Sequence, residues 1–263
     1  MIVKQLYADN PIRNFHYLIA CPETREALVI DPLDVDRCLN AAQKLGVKIA
    51  QILNTHEHWD HIGGNEEMIE KTGARVLAHH GAEDKIAHLD QGLKAGDTVQ
   101  VGNSVSLKVL DTPGHTMSHV CLLSNSNHPA LFCGDTLFNA GAGNCKNGGH
   151  PHDLYETFSG QLAALPENTL VYPGHDYMVN NLHFTLDREP DNETAKAYLA
   201  RLENQDPHNA YVTTLGEEKR INTFFRLQNP VVIEKLREKF PHLSRNPGPK
   251  EVFLALRELR NSW

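Results

Sequence analysis

At 263 residues, 40% apolar and 22% charged, the chain has the composition of a globular protein, which excludes an intrinsically disordered one. The length suits one large unit, or one with a smaller appendage. No apolar stretch approaches the ~20 residues that span a bilayer. A net charge of −8 also argues against an anionic partner surface, so neither a membrane nor a nucleic-acid partner is expected. Five cysteines (Cys21, Cys38, Cys121, Cys133, Cys145) form no C-x-x-C pair and make an odd total, and the first residues lack a targeting pattern. Both features predict a reducing, cytoplasmic setting. Sixteen histidines is the unusual figure, because histidine is the commonest metal ligand as well as the physiological acid–base.

Short β-branched runs predict strands at 14–20, 26–31 and 49–55, with a helix over 35–46 that closes on Gly46. A second helix is predicted over 62–73, followed by strands at 74–79, 104–112, 119–124, 130–135 and 168–174. Gly102-Asn103, between alternating runs, is a hairpin signal. After Gly174 the pattern changes to helices at 176–189, 192–205, 231–240 and 249–260, punctuated by prolines. The expected organisation is therefore a layered α/β unit over residues 1–175, with sheets inside and helices outside, and a helical unit over 176–263.

One window carries the chemistry: Thr55-His56-Glu57-His58-Trp59-Asp60-His61, directly after the strand predicted at 49–55. Three imidazoles and a carboxylate so close to a buried strand end cannot all be desolvated without a shared partner. A metal ion supplies one. If the loop turns after His58, His56 and His58 fall on one side and Asp60 and His61 on the other. Three further ligand types stand at strand ends, each behind a glycine: His115 after Gly114, Asp135 after Gly134 and His175 after Gly174. Any one alone is an ordinary turn. Together they make five histidines and two aspartates, and if Asp135 bridges, each of two metals receives four protein contacts.

These residues complete the T-H-x-H-x-D-H hallmark, and the chain resembles the metallo-β-lactamase superfamily. The resemblance implies an αββα sandwich followed by a C-terminal helical domain, with domains at 1–175 and 176–263. It also implies His56, His58 and His115 around one metal, Asp60, His61 and His175 around the other, and Asp135 between them. Downstream, His175-Asp176-Tyr177, Asn180-Asn181-Leu182, Glu189-Pro190 and Gly216-Glu217-Glu218-Lys219 through Asn222 and Phe224 resemble the glyoxalase II (hydroxyacylglutathione hydrolase) family, end to end. That resemblance implies a dinuclear metallohydrolase that cleaves S-(hydroxyacyl)glutathione, such as S-lactoylglutathione. Its cofactors are two divalent ions, zinc first, with iron or manganese as alternatives. It implies Tyr177, Arg257 and Arg260 as glutathione contacts; the bland reading of the Arg pair is a solvated helix face.

The family pattern G-C-G-[RK]-x-[FY]-E-G-T is replaced here by Gly141-Ala142-Gly143-Asn144-Cys145-Lys146-Asn147-Gly148-Gly149. Lys146 then restores the missing basic contact from a shifted position, or the thiol-carrier preference has changed. Asp60 and Asp135 are the expected catalytic carboxylates, Asp60 also orienting the nucleophile. His119 and Asp176 are candidate supports of the ligands. The protein is expected to act as a monomer. The rival readings are a mononuclear-iron persulfide dioxygenase, a thioesterase for another thiol carrier, and a metal-binding scaffold without activity. A β-lactamase or an RNA-processing nuclease fits less well.

Overall fold

The computed structural model describes residues 1–263. Six strands form the first sheet in sequence order: β1 (Ile2–Tyr7), β2 (Phe15–Ala20), β3 (Glu26–Ile30), β4 (Lys48–Leu53), β5 (Arg75–His79) and β6 (Leu89–Leu93). The first three pair antiparallel, and β3 to β6 pair parallel. The second sheet contains β7 (Thr98–Val101), β8 (Val105–Asp111), β9 (Val120–Ser124), β10 (Ala130–Gly134), β13 (Leu170–Pro173) and β14 (Thr213–Thr214). A separate hairpin pairs β11 (Leu137–Phe138) with β12 (Gly141–Ala142).

Strands covered on both faces need apolar residues on both, and three clusters meet that need. Tyr17, Ile19, Leu28, Ile30 and Leu53 of the first sheet pack against Leu107, Val109, Leu122 and Phe132 of the second. The first sheet's outer face, with Leu18, Val29, Ile52 and Val76, is covered by helix α1 (Val35–Leu45) and, beyond the short helix α2 (Trp59–Ile62), by α3 (Asn65–Thr72). The second sheet's outer face, with Leu131, Cys133 and Val171, is covered by Leu154 of α4 (Pro151–Glu156) and by the C-terminal helices. These are α5 (Met178–Arg188), α7 (Leu215–Ile221), α8 (Pro230–Lys239) and α9 (Pro249–Arg260), while α6 (Glu193–Leu202) packs outside them on α5 and α7. The result is the predicted αββα sandwich with a helical C-terminal region.

Local chemistry explains most boundaries. Asp34 caps α1 by accepting from Arg37 N, and Gly46 ends it in the left-handed conformation at φ +62°. Thr214 and Glu217 form a reciprocal capping box at the start of α7. The Tyr17 hydroxyl, buried between the sheets, donates to Pro173 O (2.5 Å), tying β2 to the end of β13. The structure adds elements the sequence pattern does not announce: β1, the short helix α2, β6, the β11–β12 hairpin, α4, the edge strand β14 and α7.

Candidate metal centre

Every predicted ligand lies at one rim of the sandwich. The loop after β4 carries His56, His58, Asp60 and His61; His115 follows β8, Asp135 follows β10 and His175 follows β13. Two of the preceding glycines have specific work. Gly134 turns the chain at φ +46°, and at Gly174 an added Cβ would collide with the Asp135 carboxylate, so only glycine leaves that carboxylate its place.

The side chains gather into two overlapping groups. His58 Nδ1 lies 3.0 Å from His56 Nε2 and 3.0 Å from His115 Nε2. His61 Nε2 and His175 Nε2 lie 3.3 Å apart, each 3.4 Å from Asp60 Oδ2. Asp135 stands between the groups: Oδ2 is 3.5 Å from His115 Nε2 and 3.3 Å from His175 Nε2, and Oδ1 is 3.5 Å from His61 Nε2. Oδ1 is buried and has no hydrogen-bond partner.

The outer nitrogens decide what the inner ones are. His58 Nε2 donates to Asn147 O (2.9 Å), His115 Nδ1 to Asn144 O (2.6 Å), His175 Nδ1 to Ile12 O (2.6 Å) and His61 Nδ1 to Asp31 Oδ2 (2.8 Å). Thr55 Oγ1 gives its own proton to Asp31 Oδ2 (2.7 Å) and therefore accepts from His56 Nδ1 (3.0 Å). In a neutral ring only one nitrogen carries hydrogen, so in that state each of the five inner nitrogens offers its lone pair to the shared space. Five inner nitrogens and two carboxylates brought this close repel unless positive charge, from protons or from cations, lies among them. The donor set fits divalent cations, and the oxygen acceptors behind the rings are the usual means of orienting such ligands.

Charge preferences differ between the two groups. Burial pushes the His56 pKa well down and that of His115 to about 4, keeping both neutral. At His61 and His175 burial pulls the same way, but the surrounding carboxylates together outweigh it (Asp135, Asp31 and Asp60 for His61, Asp135 and Asp60 for His175), raising His61 well above its ordinary value and His175 to about 9. Burial would raise the Asp60 and Asp135 carboxyls, but the adjacent imidazoles hold both far below the usual carboxylate range. That side of the centre calls for cationic charge.

Several supports had little or no signal in the sequence. Asp31, at the end of β3, accepts from Thr55 N (2.8 Å), Thr55 Oγ1 and His61 Nδ1, and so touches His61 directly and reaches His56 through Thr55. Its place in Asp31-Pro32 at a strand end was the available clue. Asn14 donates through Nδ2 to Asp60 Oδ2 (3.1 Å), and nothing in its neighbourhood along the chain announces it. His119 is fully buried: its ring stacks on His56 at 5.1 Å, Nε2 accepts from Asp135 N (3.3 Å) and Nδ1 faces the Thr112 hydroxyl (2.9 Å). Asp176 is buried and pairs with Arg13 rather than with a ligand. Trp59 is exposed.

Beside the centre is a cleft lined by Phe138, Asn144, Lys146, Tyr177, Arg257 and Arg260, with no carboxylate among its lining residues. Lys146 is exposed, and its Nζ donates to Asn261 O (3.0 Å). Arg257 is buried; Nη1 donates to Ala142 O (2.8 Å) and Gly143 O (2.9 Å), while desolvation lowers its pKa to about 10. Arg260 donates to Asn181 Oδ1 (3.3 Å) and lies over the Trp263 ring. The Tyr177 hydroxyl donates to Ile12 O (2.9 Å) and its ring stacks on His175 at 4.9 Å, so it is the ring that faces the cleft.

Residues 16–175 match the metallo-beta-lactamase superfamily, and residues 176–263 match the hydroxyacylglutathione hydrolase C-terminus. The chain is 66% identical to a hydroxyacylglutathione hydrolase of Nitrosococcus oceani, over 263 residues and the full length of both. It is 38% identical to the cytoplasmic hydroxyacylglutathione hydrolase of Arabidopsis thaliana, covering 94% of this chain and 93% of the relative. Among solved structures, ETHE1 from Myxococcus xanthus superposes with a TM-score of 0.69 at 29% identity, covering 99% of this chain and 98% of that one.

Proposed function

Because the chain belongs to the hydroxyacylglutathione hydrolase family of the metallo-β-lactamase superfamily, we propose that it hydrolyses S-(hydroxyacyl)glutathione, such as S-lactoylglutathione, to the hydroxy acid and glutathione. The observation that carries the reading is the set of five imidazoles whose outer nitrogens are each tied to an oxygen, so that their inner nitrogens turn together around Asp60 and Asp135. His56, His58 and His115 would hold one divalent ion, Asp60, His61 and His175 a second, with Asp135 shared. Bound there, such a pair supplies Lewis acidity toward a carbonyl oxygen and a hydroxide nucleophile at neutral pH. Zinc is the proposed metal; the mixed nitrogen and oxygen donors also suit iron or manganese.

The chain's own residues do the rest. Asp60, its Oδ2 held by Asn14 and turned toward His61 and His175, would also orient the nucleophile. A thiolate is a good leaving group, with a thiol pKa of ~8.5, so no strong general acid is required. Lys146 and Arg260 give the cleft its positive charge in a chain that is acidic overall, which suits the carboxylates of glutathione. Arg257 acts from beneath, fixing the Ala142 and Gly143 carbonyls. We place the division between catalytic and carrier-binding domains at 175/176, a reading supported by the two family matches. We also take the protein to be a cytoplasmic monomer without nucleic-acid or membrane partners. The five free cysteines and the acidic charge support this, and no helix is long and apolar enough to cross a membrane.

The test is a thioester panel on purified protein: S-lactoylglutathione against acyl-coenzyme A and other thiol carriers. The expected result is a preference for the glutathione ester. Coenzyme A thioesters turned over as well or better would move the assignment to another carrier, the alternative raised by Asn144 and Lys146. Lys146→Ala is expected to raise KM for S-lactoylglutathione about tenfold with kcat within about twofold, since a charge-assisted contact contributes about 1.5 kcal/mol. An unchanged KM would remove Lys146 from the recognition site.

A further inference from the structure

Glu218 is a fully buried carboxylate with only neutral partners. Oε2 accepts from Ala140 N (2.8 Å) and Asn222 Nδ2 (3.1 Å), and Oε1 accepts from the Thr213 hydroxyl (2.7 Å). Desolvation pushes its pKa up to about 7, against the pull of those hydrogen bonds. A carboxyl group buried without an ion pair is a costly way to pack a helix, and the geometry it enforces accounts for it.

That geometry is the turn of the β11–β12 hairpin. Ala140 sits at φ +57°, a left-handed conformation that a side chain disfavours. Every residue of the turn is held from the C-terminal region. Asn139 Nδ2 donates to Thr213 Oγ1 (2.7 Å), Asn181 Nδ2 donates to Asn139 O (3.0 Å), and Asn222 Nδ2 also reaches Gly141 O (2.9 Å). Glu218 is the acceptor on which the Ala140 amide, Asn222 and, through Thr213, Asn139 converge. Outward from the turn, one arm places Phe138 against Tyr177 (5.2 Å) and His175 (5.9 Å). The other runs through Ala142 and Gly143 to Asn144, whose carbonyl fixes the His115 ring.

We propose that Glu218 is a positioning residue: it locks the hairpin that floors the thiol-carrier cleft and sets the Asn144 carbonyl behind His115. The C-terminal region thereby acts on the metal-ligating rim as well as on the carrier. The proposal rests on the hydrolase reading for its kinetic arm and on geometry alone for its metal arm.

The experiment uses the metal-loaded full chain and compares Glu218→Ala and Glu218→Gln with wild type. Readouts are kcat and KM for S-lactoylglutathione, the rate of metal loss to a chelator, and the thermal midpoint. Glu218→Ala strands three donors and is expected to raise KM and speed metal loss, each about tenfold. Glu218→Gln keeps an oxygen for Ala140 N and turns its NH2 toward Thr213 Oγ1, so it is expected to recover most of both. A folded Glu218→Ala protein with KM and metal loss within about twofold of wild type would overturn the proposal, whatever its thermal midpoint. So would a Gln variant as impaired as the Ala one. If Glu218→Ala does not fold, Thr213→Val breaks the link to Asn139 alone and is expected to raise KM about threefold; no change in KM or metal loss would then overturn the proposal. A wild-type protein inactive on the thioester would defeat the hydrolase reading, while metal loss would still report on Glu218.

Discussion

Replacing Asp135 by alanine is expected to lower thioester turnover by about 10³-fold or more, a loss of about 4 kcal/mol in transition-state stabilisation. Asp135 is the one side chain with oxygen atoms near both groups of histidines, and its Oδ1 has no other partner. Its removal takes a donor from both cation positions at once, whereas loss of any single histidine takes one. The fold should survive, because the fully buried Leu131, Phe132 and Cys133 of β10 remain in the core. The variant should also gain less thermal stability from added zinc than wild type does, since stabilisation by a ligand follows its affinity for the native state. Steady-state turnover and a zinc-dependent melting series check both statements. Unchanged turnover in a folded variant would favour a scaffold that binds metal without acting through it.

Asp31→Asn should cost about 10²-fold in turnover and about 10- to 100-fold in metal affinity, although Asp31 touches no cation position. The reasoning is one of tautomers. The Asp31 side chain accepts from Thr55 N at one oxygen and from Thr55 Oγ1 and His61 Nδ1 at the other. An amide that keeps its oxygen toward Thr55 N points NH2 at His61 Nδ1, which can then only accept. The His61 proton moves to Nε2 and occupies the lone pair meant for the metal. Thr55 loses its acceptor as well, so His56 is disturbed in the other group. Asparagine tolerates the left-handed backbone at this position (φ +50°), which separates the effect on the rings from backbone strain. Chelator competition and turnover on the same preparation measure it. A variant with wild-type metal affinity would show that Asp31 orients nothing.

The candidate metal ligands are legible because they are side chains of distinctive type in short local patterns: four within Thr55–His61, and three behind glycines at strand ends. The sandwich was legible for the same local reason, in apolar runs such as 26–31 and 130–135 and in the closing Gly46 of α1. What holds the ligands was mostly hidden. The carbonyls of Ile12, Asn144 and Asn147 are backbone atoms with no residue signature, and Asn14 reaches Asp60 only because the chain before β2 is stitched to Gly174–Asp176. Strand β1 was missed because Lys4 and Gln5 break its apolar run, and β14 because two residues carry no periodicity. Tyr177, Arg257 and Arg260 were found at the cleft, but spacing could not reveal that the Tyr177 hydroxyl and the Arg257 Nη1 are engaged within the protein.

The central claim is that seven side chains hold two cations on which activity depends. The direct measurement is to strip the protein with a chelator, confirm by elemental analysis that no metal remains, and titrate zinc back while following S-lactoylglutathione hydrolysis. The expected result is an inactive stripped protein whose turnover returns as about two equivalents bind per chain. Hydrolysis that persists without metal, or that returns in full at one equivalent with no second ion bound, would contradict the account.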